Sequence, residues 1–216
     1  MRQGLTLVEL VIVLVLTGIL FVTTPILVFH GVKTLVFLPK ALAVNEAAME
    51  ALHQMVEGGF STLSGQTTVR GLRFAVRRSA TEPAIWLAET TRIGFVTSDN
   101  QYVLLWLDNE TVVTPEVDVI IRAVVSPSTC ASVPSATGEI LPYHAAGSVR
   151  IVPIPPATSV FRYYNQSDIE IVTPGCPPPT TIRRVDIAFA AQTGNGLFDE
   201  GNAREDITTS VAIRIP

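Results

Sequence analysis

Cysteine and histidine are scarce in this chain of 216 residues, with two of the first and three of the second. His30 borders an apolar run, His53 falls on an expected helix and His144 in a loop. None joins a Ser/His/Asp set or a metal-ligand pattern. Catalysis is therefore not expected, and the histidines read as core or surface residues. Excess positive charge is also missing. Fifteen Lys and Arg face nineteen Asp and Glu, for a net charge of −4. A protein dedicated to nucleic acid is expected to carry a basic domain.

Charge is absent altogether from one stretch, the twenty residues Leu10–Phe29. About 20 apolar residues span a bilayer, and such a span is helical because it must satisfy its own backbone. Hydrophobic residues make up 48% of the chain, partly through this run, and the remainder has an ordinary globular composition. The length leaves about one domain beyond the helix. Glu9 stands at the head of the run, five residues past Gly4. A carboxylate there is costly in lipid unless something pairs with it. A plain signal anchor accounts for the run but not for Gly4 or Glu9. A cleaved secretory signal would show a small-residue site after an apolar region of ~7–15 residues, and no convincing one is seen.

The segment Gly4-Leu5-Thr6-Leu7-Val8-Glu9, with Arg2 before it and the apolar run behind it, resembles the class III leader and N-terminal helix of type IV pilins and pseudopilins. The resemblance implies that a prepilin peptidase cuts between Gly4 and Leu5 and that the new N-terminus is methylated. The family usually has Phe or Met where Leu5 stands. Glu9 becomes the fifth mature residue, whose carboxylate the family pairs with the N-terminal amine of a neighbouring subunit. Removing one member of such a pair strands the other in low dielectric, so the pair acts as a register device. The implied partners are other pilins or pseudopilins, the peptidase, an inner-membrane assembly platform and the lipid bilayer. Charge signs orientation poorly, since Arg2 precedes the span while Lys33 and Lys40 follow it. The leader resemblance places a single-pass helix in the inner membrane with the C-terminal domain in the periplasm or in an envelope or cell-surface filament.

On this reading residues 1–4 are the leader, 5–29 the transmembrane and filament-core half of the helix, 30–57 its outer half, and 58–216 the globular domain. Cys130 and Cys176 both lie in Pro-, Ser- and Thr-rich sequence. In an exported domain such cysteines most simply pair, stabilising by roughly 3–4.7 kcal/mol in the chain-entropy model. The alternatives are a metal site or a reactive thiol, but the spacing is not that of a zinc site.

Thr17, Gly18, Pro25, Gly31 and Pro39 are expected interruptions of the helix, and Pro25 can kink or melt a turn. After Pro39, Ala41, Leu42, Val44, Ala48, Leu52, Met55 and Val56 recur at helical spacing. Gly58-Gly59 ends the pattern, and Leu5 to Glu57 would measure about 80 Å if continuous. A second helix is predicted over Thr67–Ser79, with Val69, Leu72, Val76 and Ala80 on one side and Arg70, Arg73 and Arg77 on the other, Arg78 extending the basic face. These arginines are either a DNA or acidic-lipid contact or a solvated face meeting a neighbour's carboxylates. Without interleaved aromatics the nucleic-acid signal is weak.

Short strands are predicted at Ile85–Leu87, Ile93–Val96, Tyr102–Leu107, Val112–Val113, Val117–Val125, Ser159–Tyr164, Ile169–Val172, Arg183–Ala190 and Ile207–Ile215. Turns fall at Ser98-Asp99-Asn100 and Asp108-Asn109-Glu110. Ser126–Ser148 reads as a loop, and Pro153–Pro156 as a further break. Val185, Ile187 and Phe189, and Val211, Ile213 and Ile215, alternate as in half-buried strands. The expected class is α+β: a long N-terminal hydrophobic helix packed on a mostly antiparallel β domain with one extra helix.

Leu72–Ala80 before Ile93–Val96, the Phe161–Tyr164 strand and the closing Ser210–Arg214 strand resemble the larger minor pilins of the W type and the J-type pseudopilins of type II secretion. No cofactor is expected. Asn195, Asp199, Glu200 and Asp206 lie in a glycine-rich stretch of the kind calcium loops use. The EF-hand spacing is absent, and a polar hairpin loop is the simpler reading. The functional expectation is a structural subunit that initiates or caps a filament. The alternatives are a membrane-anchored binding module that never polymerises and a DNA-uptake subunit.

Overall fold

The computed structural model describes residues 7–59, 68–77, 83–108, 119–125, 138–141, 149–172, 181–193 and 203–213. Helix α1, Leu7–Val56, has 50 residues and is about 75 Å long at 1.5 Å per residue. It runs unbroken through Thr17, Gly18, Pro25, Gly31 and Pro39, all of which the sequence marks as interruptions. Each proline removes only one backbone donor, and the ladder closes on either side. Within the apolar stretch the Thr23 hydroxyl donates to the Ile19 carbonyl and the Thr34 hydroxyl to the His30 carbonyl, both at 2.9 Å. These two hydroxyls are satisfied inside the helix. The helix stops as predicted. The Glu57 amide closes a last turn on the His53 carbonyl at 2.8 Å. Gly58 follows at φ 91°, the left-handed conformation that helix ends reserve for glycine.

The second helix expected over Thr67–Ser79 is not formed by the described residues of that stretch. Strand β1, Gly58–Gly59, pairs antiparallel with β2, Val69–Arg70, and a single 3-10 turn covers Leu72–Phe74. Ala75 then bridges Thr97. Val69, Leu72 and Ala75 are buried, a spacing that passes for one helix face. Gly71 weakens a helix, and here it is extended at φ −85° and ψ −176°. Pairing with the chain leaving α1 takes the backbone bonds that a helix would have used.

Five strands form an antiparallel meander in chain order: β3, Ile85–Ala88; β4, Arg92–Val96; β5, Tyr102–Asp108; β6, Val119–Val125; and β7, Glu139–Leu141. The Ser98–Asn100 turn joins β4 to β5, with Asn100 at φ 66°. Strand β7 lies in sequence that reads as loop; three residues are too few to show a period. The segment expected as Ile169–Val172 makes one isolated bridge, Tyr164 to Glu170. Val112–Val113 and the Asn109-Glu110 part of the second turn lie outside the described residues.

The second sheet is built on β10, Arg184–Thr193, paired antiparallel with β11, Arg204–Ala212, along its whole length. Strands β8, Val149–Val152, and β9, Phe161–Tyr164, share the other edge of β10. β8 takes Ala190–Thr193 and β9 takes Arg184–Ile187. The Pro153–Pro156 break thus separates two pieces of one interrupted strand line. Prolines cannot donate to the ladder and leave it.

One core joins both sheets and the C-terminal part of α1. Val44, Ala47, Ala48, Ala51 and Met55 are at most 5% exposed and form the buried helix face. Three of these are alanines, which let the helix approach β10 and β11 closely. Ala47 and Ala51 are absent from the stripe read in the sequence, whereas Leu42, included in it, is 61% exposed. On the outer face of the meander Trp86 lies against Gly94 and Trp106 against Gly138, each ring occupying the space a Cβ would need. These rings pack in a second cluster with Leu87, Val96, Leu104, Ala123 and Val125.

Candidate assembly surface

The most unusual surface of the molecule is the first two thirds of α1. From Leu7 to Leu42 the large apolar side chains described are 45–81% exposed. They cover the helix all round, which a soluble surface helix does not do. By length and composition this helix is able to cross a membrane. Leu7–Phe29 measures about 35 Å, against a hydrocarbon core of about 30 Å. The apolar surface does not stop there. Val32, Leu35, Phe37, Leu38 and Leu42 remain 45–75% exposed beyond His30. Leu7–Leu42 as a whole measures about 54 Å, well beyond one bilayer core.

Polar groups are few along this surface. Glu9 is an exposed residue in the first turn of α1, where the helix dipole favours a carboxylate. Lys33 places its ammonium 4.6 Å from the centre of the Phe29 ring, and Phe29 meets His30 edge to face at 6.2 Å. The outer third of the surface is therefore apolar with cationic punctuation at Lys33 and Lys40. Gly4 and Leu5 lie outside the described residues, as do Cys130 and Cys176.

Two of the arginines read as a basic face, Arg70 and Arg73, are drawn into the fold, and Arg78 lies outside the described residues. Arg70 pairs with Asp99 and lies 4.8 Å over the Phe74 ring. Arg73 Nη1 pairs with Glu57 Oε1 at 2.5 Å. Both carboxylates belong to this chain, where the sequence reading looked to a neighbour, and one of them sits just past the C-terminus of α1. Exposed pairs of this kind contribute about 0–1 kcal/mol each, but they dock the β2 segment on the end of α1 and on the β4–β5 turn. Gln101 adds two bonds there, accepting from the Arg70 amide and donating to the Thr68 carbonyl, both at 3.3 Å.

Of the calcium candidates, Asp206 alone is described. It is on β11, outside any loop, and accepts from Arg204 Nε at 2.7 Å. Asn195, Asp199 and Glu200 lie outside the described residues, and no group of three or more His, Cys, Asp or Glu able to hold a metal occurs among those described. His30 and His53 are exposed and 23 positions apart on α1. Sequence reasoning overlooked the apolar surface past His30. Its signal in the sequence is Val32, Leu35, Phe37 and Leu38, set close to Gly31 and Pro39.

No family model, curated protein or solved structure matches the chain. The architecture is nonetheless pilin-like: one long apolar N-terminal helix packed by its C-terminal part on an antiparallel β domain.

Proposed function

We propose that the protein is a structural minor pilin or pseudopilin, a subunit that helps to initiate or cap a short filament anchored in the inner membrane. The single observation carrying this reading is the length of the exposed apolar helix. A membrane anchor needs about 30 Å of apolar surface, and a further stretch faces water unless like helices bundle around it. Glu9 at the head of that helix supplies the register, through the ammonium of Leu5 on a neighbouring subunit. The leader ends at Gly4, and the β domain stands outside the membrane, where it meets other subunits or cargo.

The mass of the N-terminus after co-expression with a prepilin peptidase tests the reading. Loss of Met1–Gly4 with a methylated Leu5 supports it. An intact leader makes the chain an anchored domain that does not polymerise. The DNA-uptake alternative loses its best feature in the pairing of Arg70 with Asp99 and of Arg73 with Glu57. Salt-dependent DNA binding that needs Arg70, Arg73 and Arg77 would restore it.

A further inference from the structure

The break between β8 and β9 builds a cavity. Between Val152 and Phe161 the chain leaves the sheet, and the Pro155-Pro156 turn stands over the solvent face of β10 and β11. The floor is made of short side chains, Ala188, Thr208 and Ser210, and the facing wall is Arg162 and Tyr164. The groove is partly open to solvent and has a volume of about 420 Å³, within the range of ~300–1,000 Å³ typical of small-molecule sites. The groove is independent of α1 and plays no part in the assembly reading above.

Its polar groups are arranged by strand register. Arg162, Asp186 and Ser210 are direct cross-strand partners, forming one row over β9, β10 and β11. Asp186 Oδ1 accepts from Ser210 Oγ at 2.7 Å and from Arg184 Nε at 3.0 Å. The carboxylate is thereby held in one orientation with acceptor capacity left over. Arg184 also pairs with Asp168 at 2.5 Å and lies 4.1 Å over the Tyr164 ring, fixing that ring in the wall. Arg162 is exposed and has no ion pair or hydrogen bond of its own among the described residues. Its five donors face a trough whose other charged group is an acceptor.

The charge balance selects the ligand class. One guanidinium, Arg162, and one carboxylate, Asp186, line the groove, and Arg184 and Asp168 pair with each other beside it. An anion entering the groove meets Asp186, and a cation meets Arg162. A neutral molecule with adjacent hydroxyls uses the donor and the acceptor together. The Tyr164 ring and the Pro155 and Pro156 rings offer apolar walls to its C–H faces. We propose that this groove binds a neutral saccharide, with Arg162 donating to one hydroxyl and Asp186 accepting from its neighbour.

The test uses the full chain in detergent, with saturation-transfer NMR and calorimetry against maltohexaose, cellohexaose and chitohexaose, and with oligogalacturonate and an acidic peptide as charged comparators. The expected result is binding of at least one neutral oligosaccharide, weakened about tenfold or more by Arg162→Ala and by Asp186→Asn, since each variant leaves a hydroxyl without its partner. Arg162 is exposed and has no side-chain partner among the described residues, so its variant keeps the wild-type melting temperature and separates loss of binding from loss of fold. Failure of all three neutral probes overturns the proposal. So does neutral binding unchanged in Arg162→Ala, or tighter binding of the acidic peptide or oligogalacturonate.

Discussion

The Tyr163 hydroxyl, on β9, donates to the Glu89 carbonyl at 2.8 Å and lies 3.2 Å from that of Arg92, both at the β3–β4 turn. The same turn accepts the Val160 and Phe161 amides on the Thr90 carbonyl, at 2.8 and 3.0 Å. One side chain and two backbone amides thus tie the two sheets together. Tyr163→Phe keeps the ring and removes the hydroxyl, leaving a half-buried carbonyl short of a donor. The expected loss is about 1–2 kcal/mol, read by urea denaturation near neutral pH.

The same residue sets an alkaline limit. Burial pushes the Tyr163 hydroxyl well above its ordinary range, and the negative charge of Glu89 adds to this. In the unfolded chain the proton leaves near pH 10, while the folded chain still holds it. Above that point the unfolded state binds fewer protons, so stability falls as pH rises towards the folded pKa. The contribution is fully present below about pH 10. Denaturation at about pH 8 and about pH 11 should show a smaller decline in Tyr163→Phe than in the wild type. Equal declines would place the alkaline sensitivity elsewhere.

Gly58 and Gly71 stand where the chain leaving α1 crosses the β2 segment. A Cβ on Gly71 would strike the Val56 carbonyl and the Gly58 amide, and one on Gly58 the Val69 carbonyl and the Gly71 amide. These are backbone atoms and cannot rotate away. Gly71→Ala should cost roughly 1–3 kcal/mol, as overpacking does. Gly58→Ala should cost more, because its φ of 91° is also strained for an L side chain. Melting temperatures of the two variants check the order.

The two parts of α1 should respond oppositely to substitution. Ala48 is fully buried against the sheet, and Ala48→Leu should destabilise the β domain by about 1–3 kcal/mol. Leu35 is 75% exposed, and Leu35→Ala should leave the melting temperature within the scatter of surface changes, ~0.5 kcal/mol. Under the proposed function it should still lower incorporation into filaments. Thermal melting and a filament pull-down on the same two variants separate the roles.

Glu9→Ala should be processed normally and incorporated poorly. Under the proposed function, cleavage depends on the residues about Gly4, whereas incorporation depends on the carboxylate. Immunoblots of whole-membrane and sheared-filament fractions read both steps. Normal incorporation of Glu9→Ala would remove the pairing role.

Much of the fold is legible locally. The uncharged run dictates the helix, because lipid-facing backbone has no other way to bond itself. Gly58 dictates its end. The period-two pattern at Val185, Ile187 and Phe189 dictates a half-buried strand, and all three are fully buried. Each is a property of consecutive residues. Tertiary structure alone decided the rest. Val69, Leu72 and Ala75 satisfy a helical period, yet the pairing of β2 with β1 overrode it, since backbone partners distant in sequence leave no local mark. Leu42 and Ala51 are nine residues, and so about half a turn, apart on the helix, but the position of β10 and β11 decides which of the two faces is buried. Strand alternation puts Arg162, Asp186 and Ser210 on outer faces. Only the register of three strands, set by the core on the opposite side, brings them into one row.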